Sequence, residues 1–298
     1  MFRKRWWLAL AGLLVLVGTV AHAQRPSSGP AFAVIKPSGS PPFNLGEAPS
    51  VRHKSGGVRA LAGLLPMREP VEQNSSPPPG AVRTASGPVS VRYDFDGGTG
   101  RPITDHRGRH ELRPLGQNGG TLRLVPQGSG LAVSYPARCR MARERDCPRA
   151  ILEGVRDDSL NPGTRPLRYG ASVRMTYADL ADGANVVQKG FSVGGISQYK
   201  LQVDHRLGHP SCVLAGEGRI HRAEPAVDVA DGKWHTLTCT RTRDRLTLAV
   251  DGKPAAAVAV PADLSIANAE PLRVGGKGTG KSNDQFAGAI DDVFIQIG

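Results

Sequence analysis

The residues that could do chemistry in this 298-residue chain are carboxylates and a serine, and their spacing fits catalysis poorly. Glycoside hydrolysis needs two carboxylates flanking the scissile bond, one of them with a raised pKa. Glu153, Asp157 and Asp158 are too irregularly spaced for that, and they lead into a Pro-Gly loop. Ser192 lies in a GxSxG sequence, which hydrolases place between a strand and a helix, but residues 198–203 alternate like a strand. We therefore expect no catalytic residue, with a glycoside hydrolase or lyase as the alternative.

Residues 275–282, GGKGTGKS, have the glycines, lysine and serine of a phosphate-binding P-loop. That motif works because a helix follows it directly and points backbone N–H groups at the phosphates. Here the chain continues with an alternating strand pattern. We interpret the segment as a glycine-rich loop between two strands and predict no bound nucleotide.

Aspartates near the two ends of residues 88–298 are the best candidates for a metal site. In VRYDFD the alternation puts Tyr93 and Phe95 inward and the aspartates outward, and in AIDDVF the inward phase shifts between Ile290 and Val293, which predicts a bulge. First and last strands are often neighbours in a sandwich, so these carboxylates could meet and give calcium its oxygen ligands. The candidate ligands are Asp94, Asp96, Asp105, Asp291 and Asp292. The alternative is that they are solvated turn residues.

Residues 138–149 hold five arginines against Glu144 and Asp146. A disulfide between Cys139 and Cys147 would present them on a rigid loop, suited to bidentate contact with sulfate, phosphate or carboxylate. The predicted anion-binding residues are Arg138, Arg140, Arg143 and Arg145. The alternative is a solvated charged loop.

The four cysteines are Cys139, Cys147, Cys212 and Cys239, an even number that suggests disulfides in an exported protein. Three pairings are open. We favour Cys139 with Cys147, which closes a small loop, and Cys212 with Cys239, which would join two neighbouring strands. No cysteine and histidine spacing typical of zinc is present.

Residues 1–23 have a basic start, an apolar run of about fifteen residues and a small-x-small end, the pattern of a cleaved secretory signal peptide. The run is shorter than the roughly twenty residues that span a bilayer, although an uncleaved anchor is the alternative. We predict cleavage after Ala23, a secreted protein and no transmembrane segment in the remainder. Residues 24–87 contain eleven prolines and repeated Ser-Gly, which predicts a disordered, flexible linker.

The chain is strongly basic, with a formal net charge of +12. Removing residues 1–23, which hold three basic and no acidic residues, leaves 38 − 3 − 26 = +9. Outside a cell this charge favours anionic partners such as acidic glycans and wall polymers. Nucleic acid is a poor candidate for an exported chain.

Residues 88–298 read as one all-β domain. Short runs with alternating apolar residues recur, separated by Gly, Pro, Asn and Asp, and no stretch keeps a helical period over three turns. The predicted strands include segments 89–95, 121–125, 131–135, 171–177, 185–190, 198–203 and 211–216, followed by four near the C-terminal end. This pattern predicts a two-sheet antiparallel β-sandwich.

Those four C-terminal strands also carry a family resemblance. They lie in DGKWHTLTCTR (231–241), RLTLAVDGK (245–253), PLRVGG (271–276) and DQFAGAIDDVFIQI (284–297), and YDFDGGTGRPITDHRG (93–108) adds a matching first strand. The chain resembles the laminin G-like domains of exported bacterial proteins, which have a concanavalin-type jelly roll. The resemblance implies that Cys212 pairs with Cys239, and that a structural calcium accompanies the fold.

The resemblance and the signal peptide together lead to a functional expectation. We expect an exported, monomeric, non-catalytic module that binds an extracellular glycan, an anionic polymer or a protein, through rim loops or a concave sheet. One alternative is a secreted glycan-active enzyme, and another is a structural module with no ligand other than calcium. The family binds many ligands, so the fold does not identify which one.

Overall fold

The structure of the protein is a computed structural model that describes residues 34–35, 81–98, 103–194, 196–204 and 207–298. The predicted signal peptide and nearly all of the predicted linker lie outside these residues. Among the residues described, strands predominate and helix is limited to 3-10 turns at Glu144–Asp146, Asp158–Leu160 and Tyr177–Asp179. None of the described helices has the length and apolar character needed to cross a membrane.

Seventeen strands are described in the chain. They are β1 (Val34–Ile35), β2 (Val89–Tyr93), β3 (Ile103–Thr104), β4 (Glu111–Gln117), β5 (Leu122–Gln127), β6 (Gly130–Tyr135), β7 (Arg149–Gly154), β8 (Leu167–Thr176), β9 (Ala184–Gly190), β10 (Gln198–Val203), β11 (Pro210–Gly216), β12 (Arg219–Ala223), β13 (Asp231–Arg241), β14 (Arg245–Val250), β15 (Lys253–Ala259), β16 (Leu272–Val274) and β17 (Gly288–Ile297).

The strands form two antiparallel sheets. Sheet I has the order β1-β5-β6-β17-β8-β13-β14-β15, with β2 also paired to β17, and sheet II has the order β12-β11-β10-β9-β16-β7-β4-β3. The apolar face of each sheet is buried against the other, and both contribute to a single hydrophobic core. The predicted all-β sandwich is confirmed.

Strand alternation sets which side chains enter this core. On β13, Leu237 and Cys239 are buried, and they lie opposite Val250 and Leu248 of β14. The β14–β15 turn at Asp251–Gly252 has positive φ at both residues, 51° and 76°, which is the tight hairpin that an Asp-Gly pair favours.

The bulge predicted at Asp291 and Asp292 is present. Strand β17 pairs with β6 through Ile290 and with β2 from Val293 onward, and its register with β8 shifts between these two segments. Asp292 takes a positive φ of 49°. The bulge therefore lets one strand serve two partners, and it places the first strand of the domain beside the last.

Both favoured disulfides form. Cys139 pairs with Cys147, and Cys212 pairs with Cys239 with 5.6 Å between their Cα atoms. One expectation was wrong: Cys212 and Cys239 do not lie on neighbouring strands, because β11 belongs to sheet II and β13 to sheet I. The bond therefore crosses the core and joins the two layers.

Two parts of the predicted linker contact the domain. Val34 and Ile35 pair with Arg123 and Leu122 of β5. Residues 81–87 lie against the sandwich, where Ala85 is buried and the Arg165 side chain donates to the Ala85 and Gly87 carbonyls at 2.7 and 2.8 Å. The boundary at residue 88 remains a prediction.

Candidate binding groove

Seven side chains form a row across the face of sheet II that points away from the core. The strand registers place Arg113 beside Glu153, Glu153 beside Arg273, Arg273 beside Gln188, Gln188 beside Lys200, Lys200 beside Val213 and Val213 beside Arg222. Paired residues of neighbouring strands share a face, so these groups are lateral neighbours. Six of the seven are charged or carry an amide, which gives the outer face of this sheet a polar floor.

A groove of about 350 Å³ lies over the middle of the row. Its lining combines three carboxamides, one aromatic ring and three ammonium groups, from Gln188, Gln198, Asn283, Phe191, Lys200, Lys277 and Lys281. Hydrogen-bond donors and acceptors beside an apolar ring are the usual lining of a small-molecule or sugar site.

The glycine-rich segment 275–282 forms one wall of the groove. The Gln285 side chain fastens it to β7 through the Ala150 N–H and carbonyl, at 3.0 and 2.9 Å. A side chain at Gly276 would bring its Cβ within 2.8 Å of the Ile151 Cγ2 atom, so the loop can lie this close to the sheet only with glycine there. The described chain passes from this loop into β17 without a helix, as predicted for a glycine-rich loop between two strands.

Lys200 lies in the floor of the groove, half-buried between Gln188 of β9 and Val213 of β11. Its ammonium has no hydrogen-bond or ion-pair partner among the described residues. Burial lowers the pKa of Lys200; the charge of Asp284 opposes this shift, and the like charges of Lys277 and Arg222 add to it. A cation in this position is available to a ligand.

The Gln198 carboxamide lies next to Lys200 along the same face of β10. It is 3% exposed, and its Oε1 atom accepts no hydrogen bond from the residues the structure describes. Gln188, by contrast, donates to the Gly190 carbonyl at 2.7 Å. A buried amide without a partner is costly, so Gln198 marks a place where a ligand or water completes the hydrogen bonding.

Phe191 lines the groove, and Arg273 of β16 packs against its ring. The guanidinium carbon of Arg273 lies 5.2 Å from the Phe191 ring centroid. Its nitrogens pair with Glu153 at 2.6 Å and Glu270 at 3.0 Å. The charge of Arg273 is thus compensated within the protein, and the guanidinium holds the aromatic ring at the groove.

Four of the five predicted calcium ligands come close together at the β17 bulge. Asp291 is 6% exposed, and burial together with the charges of Asp292, Asp96 and Asp94 raises its pKa to about 6. Asp292 already pairs with Arg92, and Asp94 pairs with His106 at 2.6 Å. No three carboxylate, histidine or cysteine side chains of the described residues are arranged to hold a metal ion. The carboxylates interact without converging on one point.

Asp105, the fifth predicted ligand, serves its own turn. Its carboxylate accepts the backbone N–H groups of Arg107, Arg109 and His110, at 3.3, 2.7 and 2.7 Å. Both oxygens are used in this way, so Asp105 contributes to the loop between β3 and β4.

The arginines of the small disulfide loop do not form one cluster. Arg140 donates to the Ala178 carbonyl at 3.3 Å, Arg145 lies 3.7 Å from Asp146, and Arg138 and Arg143 are exposed. Anion binding by these four residues remains a prediction.

A fifth arginine of that loop has a structural role. Arg149 is buried, and it donates to the Glu144 carboxylate at 2.9 Å and to Asn283 at 3.2 Å. The Glu144 carboxylate also accepts the Ser282 N–H. These contacts tie the disulfide loop to the glycine-rich wall of the groove.

The residues considered for catalysis are engaged elsewhere. The hydrogen bond from His110 to Asp157, 2.8 Å long, lowers the pKa of Asp157 to about 2, which is the reverse of what a general acid needs. Ser192 lies in the hairpin between β9 and β10 rather than before a helix. His235 is held by Asp231 and Asp251, at 3.1 and 2.8 Å.

A second cavity of about 520 Å³ lies on the outer face of sheet I. Its largest groups pack on each other: the Arg168 guanidinium lies 4.9 Å from the Phe294 ring centroid and donates to Gln296. Arg92, on its wall, is paired with Asp292. Of the described residues that line it, none has a buried polar side-chain atom without a partner. The groove on sheet II is therefore the better candidate site.

The sequence did not identify the groove residues as functional, although it carried a signal for them. In β9 and β10 the residues between the core positions are Gln188, Gln198 and Lys200. Alternating amides and a lysine mark a polar sheet face. Whether that face is open or covered depends on where the loops lie.

Comparison with known protein families identifies the superfamily of residues 165–296. Residues 165–296 match the family model described as the concanavalin A-like lectin/glucanases superfamily, of laminin G type. This segment belongs to that superfamily, which confirms the resemblance seen in the sequence. No curated protein sequence matches the chain.

Several solved structures share the fold at low sequence identity. The binding domain of Paraclostridial Mosquitocidal Protein 1 is 13% identical with a TM-score of 0.51, over 69% of this chain and 47% of that one. Domain 4 of AbnA, a GH43 extracellular arabinanase from Geobacillus stearothermophilus solved with arabinotriose, is 12% identical with a TM-score of 0.50, over 73% and 93%. The binding domain of botulinum neurotoxin DC, solved with rat synaptotagmin II, is 13% identical with a TM-score of 0.50. The match spans about half the length of each toxin domain.

Proposed function

We propose that this protein is an exported, non-catalytic binding module that holds a glycan in the groove on sheet II. The observation that carries the proposal is the Gln198 carboxamide, which lines the groove and whose oxygen has no hydrogen-bond partner among the residues that the structure describes. Sugar hydroxyls both donate and accept, so they can satisfy an amide from either end. The Phe191 ring beside it offers an apolar surface to the C–H face of a sugar.

The structural relatives support this choice over the alternatives. Domain 4 of the arabinanase has the same fold, matches this chain over 93% of its own length and was solved with arabinotriose. One toxin relative was solved with a protein, so an extracellular protein ligand is the next candidate. A glycan-active enzyme is less well supported, because Glu153 is ion-paired with Arg273 and Asp157 with His110.

The test is a glycan array probed with the exported chain and with a Gln198→Ala variant. We expect retention of at least one glycan, weakened about tenfold in the variant, because one hydrogen-bonding group of the site is lost. Gln296→Ala, which removes a carboxamide from the outer face of sheet I, is the matched control and should bind normally. Equal binding by both variants, or no glycan retained at all, would contradict the proposal.

A further inference from the structure

Resting on the proposed function, we propose that the glycan held in the groove carries a carboxylate, as uronate sugars do, and that Lys200 binds it. Most of the other described cations around the groove are already paired within the protein. Around the groove, Arg273 is neutralised by Glu153 and Glu270, and Lys277 lies 3.0 Å from Asp284.

The same holds at the other end of the polar row. Arg222 lies 3.2 Å from Asp204 and 2.9 Å from Glu224. Lys200 and Lys281 are the two lining cations without a hydrogen-bond or ion-pair partner among the described residues. Lys281 is exposed and solvated, whereas Lys200 is half-buried.

An ammonium in the position of Lys200 is costly for the protein to maintain alone. It has lost part of its hydration to the sheet, and while Asp284 and Asp204 attract it, Lys277 and Arg222 repel it. An anionic group entering the groove would relieve both effects, since it restores a partner to the ammonium and offsets the neighbouring charges. A neutral sugar would give the ammonium a hydrogen-bond partner but would not offset the neighbouring positive charges.

The surroundings of Lys200 favour a carboxylate over a phosphate. Phosphate recognition typically uses arginines in a bidentate fork or several converging cations, and all three arginines of the row are already paired. Lys200 is a single point charge with the neutral amides of Gln188 and Gln198 beside it. Lys200 and Gln198, two residues apart on one face of β10, are separated by roughly 7 Å. That spacing lets one sugar unit present its carboxylate to the lysine and a hydroxyl to the amide.

The experiment measures binding of the exported chain to polygalacturonate, alginate and hyaluronan by biolayer interferometry, each beside its carboxyl-methylated form. Methylation removes the charge and keeps the backbone. We expect at least one polyuronate to bind at least about tenfold more tightly than its ester, the gain of one charge-assisted hydrogen bond. Lys200→Met should abolish that preference, and Lys200→Arg, which keeps the charge, should retain most of it.

Lys253→Met is the matched control, because it removes one exposed lysine from β15 of the opposite sheet. An equal loss in Lys253→Met and Lys200→Met would overturn the inference, since attraction by the net positive charge would then explain the binding. Equal affinity for a polyuronate and its methyl ester would also overturn the inference, and so would binding of neutral glycans alone. Each of these two results would still agree with the proposed glycan-binding function. If neither acidic nor neutral glycans bind, both proposals fail. Melting temperatures of the variants, expected to match the parent, separate loss of binding from loss of fold.

Discussion

Cys212 and Cys239 join the two layers of the sandwich, with Cys212 on β11 of sheet II and Cys239 on β13 of sheet I. Both are fully buried in the core. The bond closes a loop over a sequence separation of 27 residues, and in the chain-entropy model a loop of that size stabilises by roughly 3 kcal/mol. We therefore expect the double variant Cys212→Ala/Cys239→Ala to lose about 3 kcal/mol of unfolding free energy, measured by urea denaturation.

The other disulfide supplies the comparison. Cys139 and Cys147 are separated by only eight residues and lie in a largely exposed loop. Cys139→Ala/Cys147→Ala should cost less, about 2 kcal/mol, since the loop is shorter and no core is opened. A larger loss from this pair than from the cross-sheet pair would contradict our account of how the layers are held together.

Asp157 makes stability depend on pH in a defined window. Its hydrogen bond with His110 lowers the pKa of the carboxyl from 3.8 to about 2. A carboxyl whose pKa is lower in the folded than in the unfolded state stabilises the protein at pH values above its unfolded-state pKa. That stabilisation is lost as the pH falls toward the folded-state pKa. Asp157→Asn should therefore cost about 1 kcal/mol near pH 6, after allowance for partial solvent screening, and progressively less between pH 4 and pH 2.

The control for this charge is Asp244, an exposed aspartate between β13 and β14. Asp244→Asn should track the parent protein across the same urea titrations. A deficit in Asp157→Asn that stays constant from pH 6 to pH 2.5 would show that the contact is not ionic.

Calcium should not stabilise the protein through the aspartates at the β17 bulge. Asp94, Asp96, Asp291 and Asp292 carry carboxylate oxygens of the kind that calcium takes, but no three such side chains of the described residues are arranged to hold a metal ion. We expect thermal melts in excess calcium to superimpose on those in EDTA, for the parent protein and for Asp291→Asn alike. A higher melting temperature in calcium that disappears in Asp291→Asn would show that these carboxylates do bind calcium.

Much of the fold could be predicted from the sequence because strand alternation is a local property. The segments around 198–203 and 231–241 alternate cleanly, and each is a strand with the expected face inward. Strands β4, β7 and β15 were not identified as strands from alternation. Pro114 and Gly116 interrupt the first, the second is buried on both faces, and the alanines of the third show no apolar period.

The candidate site was harder to predict for a physical reason. A groove exists only where a loop distant in sequence stands beside a polar sheet face, and segment 275–282 meets Gln188 and Lys200 through the order of strands in sheet II. The P-loop-like pattern of this segment is typical of phosphate binding and gives no sign that the loop forms the wall of a groove. The sequence analysis placed Cys212 and Cys239 on neighbouring strands for the same reason, because local alternation does not tell which sheet a strand joins.

Lys189 and Lys200 show that the face of the sheet on which a lysine lies decides its role. Lys189 lies opposite Tyr199 in the β9–β10 pair, on the core side of sheet II, and is fully buried. Its ammonium donates to the Asn268 carbonyl at 3.0 Å and to the Glu270 carbonyl at 2.8 Å, while burial lowers its pKa to about 8. Lys200 faces the other way and has no such partner among the described residues.

The two lysines should therefore respond oppositely to the same substitution. Lys189→Met removes the donor of the Glu270 carbonyl and one of the two donors of the Asn268 carbonyl, so we expect it to lower the unfolding free energy by about 2 kcal/mol. Lys200→Met removes an unpaired, partly desolvated charge, so its stability should stay within about 0.5 kcal/mol of the parent or rise. Urea denaturation of both variants checks this. A comparable loss of stability in Lys200→Met would mean that the lysine supports the fold, and the groove would then lack the free cation on which its assignment to an anionic ligand depends.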